Sequence, residues 1–290
     1  MKYVLTGATG GLGSQVLKYL LRLVPASDIA VSLYNPQGAS AEIKDAGAFR
    51  GADKLLIVSY PSIAHELRAK NHINAIDAAK RCGVKHVYYT SLAFGTGSVA
   101  AVMKAHLDTE NYLKESGLKY TILREGIYSE SYPLYLGFFD PSEGNDEILI
   151  PHSDGGIAWV SREDLGEGTA KIMVDGGYEN GTFLLSGSRC LTLQKVGEQV
   201  ATILGRHIRL KVVSEDEYVK RNVGRPGPRG EEQFLHAWAT TYQGLARGEL
   251  DVVDPLLQRV VGRELKPIEE TLKEMLGVAG DAAVMEQYAK

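Results

Sequence analysis

Apolar residues along this chain fall in short runs, separated by longer stretches in which they recur every three to four positions. The runs at residues 3–6, 29–33, 54–59, 86–90 and 119–123 have strand length and are apolar on both faces. Between them the periodicity predicts a helix running on from Ser14, one from Ser62 to about Arg81, and one from about Val99 to Glu115. Ser62 is suited to cap the second helix, and Gly83 and Gly117 follow the ends of the second and third. Strands and helices alternating in this way give a mostly parallel sheet with helices on both faces.

From Tyr132 the pattern loosens. Residues 148–151, 156–160, 181–186 and 208–213 read as short extended pieces. Ser161-Arg162-Glu163-Asp164 opens a helix to about Val174 with a start like a capping box. Helices follow at residues 192–204, 231–246 and 267–276, and the Gly/Pro-rich residues 224–230 form a loop. The predicted organisation is a core of residues 1–131, with 147–186 completing its sheet. Residues 132–146 and 187–276 make a small α+β lobe over the core's site, and 277–290 make a tail.

The first strand runs directly into Thr6-Gly7-Ala8-Thr9-Gly10-Gly11-Leu12-Gly13, and a helix follows. Strand, glycine turn and helix are the context of a dinucleotide-binding fingerprint. Gly7 permits the turn, Gly10 lets backbone approach a pyrophosphate, and Gly13 lets the helix lie close to the strand. The helix start offers unpaired N–H groups and the positive end of its dipole to phosphates. In a doubly wound parallel sheet, ligands sit beyond the C-terminal ends of the strands. That rule gathers the loops at 7–13, 34–36, 59–62, 90–97 and 124–132 around one site.

One stretch is too short for this fold. A helix, a third strand and another short helix normally lie between the second run and the run at 54–59. Residues 34–53 hold one loop and one short helix, at 40–48, at the usual rise per residue. The third strand is therefore expected to be missing. It is an edge strand in the usual order, so its loss spares the sheet but thins the wall of the adenine pocket.

Composition narrows the functional classes. A chain of 290 residues with ordinary apolar content can bury a full core. The net charge of −4 and the absence of any basic block argue against a nucleic-acid surface. No apolar run approaches the length of a membrane span, and the first strand leaves no room for a targeting peptide. Cys82 and Cys190 stand far apart in no metal spacing and read as buried thiols of a reducing compartment. Asn180-Gly181-Thr182 fits a glycosylation sequon, and without a secretory signal it reads as chance. The expectation is a cytoplasmic protein with a small-molecule substrate, no metal, no nucleic-acid or membrane partner, and scope for a homodimer.

The loops supply the candidate chemistry. Glu125 is a carboxyl beside a closed pocket, either an acid–base group with a raised pKa or a hydrogen-bonded loop carboxylate. Tyr128 and Tyr132 either stack on a flat ligand or pack between the lobes. His106 and Glu110 are four apart on one helix and can pair as a proton shuttle, or as a surface or supporting pair. Lys104, on the same helix, reads as solvent-exposed. A Tyr-x-x-x-Lys pair is absent, as are a Ser-His-Asp triad and a metal-ligand cluster. Hydride transfer to a quinone or other conjugated acceptor needs no such acid, because the acceptor is already electrophilic.

Five segments carry a family resemblance. These are the glycine loop at 6–13, Lys54-Leu-Leu-Ile-Val-Ser59, Gly83-Val-Lys-His-Val-Tyr-Tyr-Thr-Ser91, Leu123-Arg-Glu-Gly-Ile-Tyr-Ser-Glu130 and Ser161-Arg-Glu-Asp164. In order and spacing they resemble the NmrA-like atypical short-chain dehydrogenases, and among these the type 2 NAD(P)H:quinone oxidoreductases and triphenylmethane reductases. The resemblance spans roughly residues 1–275. It implies a Rossmann-like domain with a small C-terminal lobe and the substrate between them. Reductase members use NADPH to deliver hydride, and other members bind nucleotide without turnover as redox sensors. Carried onto this chain, the cofactor is NADP(H) or NAD(H). The residues expected to meet it are Thr6, Gly7, Thr9, Gly10, Gly11, Leu12, Gly13, Tyr34, Asn35, Ser59, Tyr60, Thr90 and Ser91.

Three positions depart from the family pattern. Tyr34 stands where members usually carry an arginine for the 2′-phosphate, and tyrosine cannot supply that charge. The family's third-strand segment is missing between Gly47 and Ala48. The family's Asn-Gly after the strand ending in Arg124 is Glu125-Gly126. The leading expectation is an NAD(P)H-linked oxidoreductase acting on a small flat conjugated acceptor, with Glu125, Tyr128 and His106 as its acid–base and substrate residues. Two alternatives stand beside it: a non-redox isomerase, cyclase or lyase with Glu125 or His106 as base, and a nucleotide-sensing regulator.

Overall fold

A computed structural model describes residues 1–32, 49–62 and 64–277. Its main sheet is built from β1 (Tyr3–Thr6), β2 (Ile29–Ser32), β3 (Lys54–Ile57), β4 (His86–Leu92), β5 (Tyr120–Glu125) and a later strand, β8 (Gly181–Leu185). All pairs are parallel, in the order β2-β1-β3-β4-β5-β8. This is the α/β, Rossmann-like arrangement, with β1 central to the glycine loop and β2 at the edge of the described sheet. The expected short helix at 40–48, the loop carrying Tyr34 and Asn35, and the place of a third strand lie outside the described residues, as does most of the 277–290 tail.

Alternation along the strands dictates the layers. Tyr3, Leu5, Leu56, Tyr88 and Leu123 point to one face and pack with α1 (Gly11–Leu23) and α5 (Arg162–Asp175). Val4, Leu55, Ile57, Val87, Tyr89 and Ile122 point to the other, where α2 (His65–Arg81) and α3 (Lys104–Glu115) lie. Burial on both faces is what a parallel sheet with crossover helices requires.

The remaining elements make a second apolar cluster. They are α4 (Tyr132–Tyr135), β6 (Glu147–Pro151), β7 (Gly156–Ile157), β9 (Leu191–Thr192), α6 (Leu193–Leu204), β10 (Arg209–Val213), α7 (Glu215–Asn222), α8 (Glu232–Ala246), α9 (Leu256–Val261) and α10 (Ile268–Gly277). Tyr132, Tyr135, Trp159, Tyr218, Phe234 and Tyr242 fill this core. α9 is the exception and packs on α5, in the sheet's own core.

Some expected elements moved. Residues 147–151, expected within the main sheet, pair instead with β10, and only β8 of the 147–186 stretch extends the main sheet. β6 alternates Ile148 and Ile150 inward toward the second cluster, so its buried face belongs there. The run at 156–160 narrows to two residues paired with β9, plus one bridge from Val160 to Tyr128. Ser62 accepts the Ala64 N–H, yet α2 begins only at His65. The short helices α7 and α9 carried no sequence signal strong enough to predict. Among the described residues no helix is long and apolar enough to cross a membrane.

Candidate active site

The glycine loop closes as its spacing requires. Gly7 sits at φ +62°, and the Gly10 N–H donates to its carbonyl at 2.9 Å. A Cβ on Gly13 would lie 2.1 Å from that same carbonyl oxygen, so only glycine lets α1 approach this closely. Gly10 is the N-cap of α1 and no side chain caps the helix. The first-turn amides, from Gly11 to Gly13, therefore have neither an intrahelical acceptor nor a side-chain cap, and they suit an anion. Leu12 buries its side chain in the core while lending its amide to this turn, and Thr9 is exposed at the loop's tip.

Beside the loop, two hydroxyls fix the end of β3. Thr6 Oγ1 accepts the Val58 N–H at 3.0 Å, and Thr90 Oγ1 accepts the Ser59 N–H at 2.9 Å. Both threonines thus shape the floor of the site through backbone rather than by presenting their own side chains. Ser91 turns toward α3, where its hydroxyl donates to Glu110 Oε1 at 2.6 Å. Glu110 is 1% exposed and also receives a two-pronged contact from Arg124, at 2.9 and 2.7 Å.

That ion pair anchors α3 to β5. Glu110→Ala would leave the Arg124 guanidinium, itself largely buried, without its carboxylate. Stability is expected to fall by about 3 kcal/mol, read as a lower urea midpoint with an unchanged slope.

His106 and Glu110 do not pair. Each is buried, but His106 Nδ1 faces the Tyr89 hydroxyl at 2.8 Å, while Glu110 is committed to Ser91 and Arg124. The i, i+4 spacing places both toward the sheet without deciding their partners. His106 belongs to a chain that starts at the loop after β3. The Tyr60 N–H donates to His72 Nε2 at 2.8 Å, so that nitrogen is an acceptor. His72 Nδ1 then carries the proton and donates to Thr109 Oγ1 at 2.9 Å, whose own hydrogen goes to the Ala105 carbonyl. The Tyr89 hydroxyl in turn shares a hydrogen bond with His106 Nδ1. Burial, aided by nearby Arg68, depresses His72 to about 3 and holds His106 well below the ordinary histidine range. Both rings are neutral supports of the wall.

Glu125 ends β5 on the opposite face, 1% exposed. Tyr128 donates its hydroxyl to Glu125 Oε2 at 3.2 Å, and Thr169 of α5 lies 3.5 Å from Oε1. Burial pushes this carboxyl up to about 8, against the weaker opposing pull of those two hydroxyls. It carries its proton at neutral pH. Tyr128 is half-buried, and burial with the neighbouring Glu125 keeps its hydroxyl protonated too. Tyr132, by contrast, is wholly buried in the second cluster and forms no part of an open surface. Lys104 is exposed.

Two arginines complete the site, and no spacing rule singled them out. The Arg162 guanidinium stands 4.7 Å over the Tyr128 ring and lies against Gly11. Its backbone N–H donates to both oxygens of Glu130. Arg68 reaches from α2 to the end of β3, donating from Nε and Nη2 to Ser59 Oγ at 3.1 and 2.8 Å. Arg162 lies in the Ser161–Asp164 motif already noted. Arg68 sits three residues into α2 with no signal of its own.

Known proteins resemble this chain along most of its length. The NmrA-like family model matches residues 36–272. The NmrA-like family domain-containing oxidoreductase flvB of Aspergillus flavus is 35% identical over 100% of both chains. An NADPH-dependent quinone oxidoreductase from Escherichia coli, solved with NADPH, superposes with a TM-score of 0.83 at 28% identity, covering 94% of this chain and 99% of that one. The triphenylmethane reductase of Citrobacter sp., solved with NADP(H), gives a TM-score of 0.79 at 27% identity over 94% and 99% of the two chains. The family match over most of the chain and the relative 35% identical along its whole length show that the chain belongs to the NmrA-like family.

Proposed function

We propose that this protein is an NAD(P)H-dependent oxidoreductase that reduces a small, flat, conjugated acceptor such as a quinone or an enone. The observation that carries the reading is the open first turn of α1, with Arg162 lying over Gly11 beside the protonated Glu125–Tyr128 pair. The relatives solved with NADPH and NADP(H) support the same cofactor here. The core of 1–131 with β8 holds the nucleotide, and the lobe of 132–146 and 187–276 closes over the acceptor.

The residues present fit the cofactor. The amides of Gly11, Leu12 and Gly13 and the Arg162 guanidinium hold its pyrophosphate. Thr6 and Thr90 keep the β3 end in place beneath it. The reduced nicotinamide supplies the hydride. Tyr128 flanks the acceptor's plane and excludes water from it. Glu125 holds a proton at neutral pH, and Tyr128 links that proton to the cleft.

Calorimetric titration with NADPH and then NADH tests this. Micromolar binding is expected, and Arg162→Ala should weaken it by about 10- to 100-fold. No binding of either nucleotide would end the oxidoreductase reading. The preference between the two reports what the loop at Tyr34 and Asn35 does with the 2′-phosphate.

A further inference from the structure

Arg68 is a cation to which no anion is assigned. Two other arginines have acids: Arg124 of β5 holds Glu110, and Arg263, after α9, holds Asp164 at 2.7 Å. Arg68 forms no ion pair with any described residue. Two of its N–H groups go to the neutral Ser59 hydroxyl, and no described residue accepts from the rest of the fork. Ser59 is itself tied to His72 Nε2 at 3.2 Å, so the guanidinium is held in place.

The described titratable groups that interact with it are uncharged. Tyr89 comes from β4, His72 from α2 and His106 from α3, and both imidazoles are neutral. Tyr128, just after β5, also acts on it and keeps its proton at neutral pH. A held guanidinium at the C-terminal edge of a parallel sheet, among neutral groups, is built to meet a negative charge brought by a ligand. The pyrophosphate already has Arg162 and the helix start.

We propose that Arg68 binds the carbonyl oxygen of the acceptor and holds the negative charge that hydride addition places there. The site then takes neutral and anionic conjugated carbonyl compounds and excludes cationic ones. This rests on the oxidoreductase reading above. In the step, the acceptor gains a hydride, and its displaced π electron pair collects on the carbonyl oxygen. Arg68 hydrogen-bonds that oxyanion and keeps its own protons. One proton then passes to the oxygen from the Tyr128–Glu125 pair, which is refilled from solvent. The sum is acceptor, reduced nicotinamide and one proton giving the dihydro product and oxidised nicotinamide.

The test compares the wild type with Arg68→Leu, Arg68→Gln and Arg68→Lys on three acceptors. These are 1,4-naphthoquinone, its 2-hydroxy derivative (an anion at neutral pH) and a triarylmethane dye cation. Arg68→Leu is expected to lower kcat/KM for naphthoquinone about 100-fold, with NADPH affinity within about twofold of wild type. Arg68→Lys should recover part of the loss. The ratio of cationic dye to anionic quinone turnover should rise in Arg68→Leu.

A kcat/KM unchanged within about threefold would overturn the assignment. So would a parallel loss of NADPH affinity, which would make Arg68 a cofactor ligand. A second readout needs no turnover: binding of the 2-hydroxy quinone to NADP+-loaded protein, expected to weaken at least tenfold in Arg68→Leu. If the wild type binds NADPH but reduces none of the acceptors, the oxidoreductase reading fails, and this binding measurement still decides Arg68. Unchanged binding would sink it. Circular dichroism checks each variant's fold, and Arg68→Gln stands in if the leucine variant does not fold.

Discussion

Gly13→Ala is expected to abolish nicotinamide-nucleotide binding, weakening it more than about 100-fold, and to cost about 3 kcal/mol of stability. The added Cβ would sit 2.1 Å from the Gly7 carbonyl oxygen and 2.7 Å from its carbonyl carbon. Both are backbone atoms, so no rotamer change relieves the clash. Either α1 lifts off the loop or Gly7 leaves its turn, and each outcome scatters the amides proposed to hold the phosphates. Gly10→Ala is the graded comparison. Its Cβ would lie 3.3 Å from the same oxygen, and the residue's φ of −82° suits any side chain, so binding should fall far less. Calorimetry with NADPH and a thermal melt of both variants read the two effects. Normal NADPH affinity in Gly13→Ala would show that the helix start is not the phosphate site.

Glu125→Gln is expected to separate activity from stability. In the folded chain burial pushes this carboxyl up to about 8. In the unfolded chain it titrates near about 4.3. The folded state therefore binds the proton more tightly. Its stabilising contribution is complete below about pH 4, is lost progressively as pH rises, and is gone above about pH 8. Glutamine keeps the shape and carries no charge. The variant should match the wild type at pH 5 and melt higher at pH 8, by an amount on the order of 3 kcal/mol. Turnover should move the other way. Loss of the acid lowers kcat/KM for a quinone by about 100-fold. The wild type's activity falls above about pH 8 as Glu125 ionises, and the variant should lack that limb. Equal melting temperatures across the pH range would mean that the carboxyl is ionised at neutral pH.

Local signals made the core legible and left its cross-connections dark. The glycine loop, the five strands from β1 to β5 and the cap at Ser161 each depend on neighbours within a few residues, and short-range pattern reports them directly. Ser161 indeed accepts the Asp164 N–H at 3.0 Å. What pattern could not report is which distant group a polar side chain meets. Ser91 was expected along the cofactor channel, but strand alternation turns its hydroxyl to Glu110 instead. His106 is directed to Tyr89 by the height of α3 over β4, a quantity set by packing. Arg68 is visible only once α2 is laid across the end of β3. β6 carried a strand pattern, yet its partner, β10, lies some sixty residues on and shares no signature with it.

Asp164 ties the two ends of the chain's history together. Its carboxylate is fully buried, hydrogen-bonded by Ser161 Oγ at 2.8 Å and by the Lys266 N–H at 2.8 Å, and paired with Arg263. During synthesis, α5 leaves the ribosome about a hundred residues before Lys266 and Arg263 do, a delay of several seconds. Until they arrive the carboxylate lacks two of these three partners, its cation among them. The setting of this helix, which packs on α1, is thus completed by the last fifth of the polypeptide, and a chain interrupted before Arg263 would leave the Asp164 carboxylate without its cation.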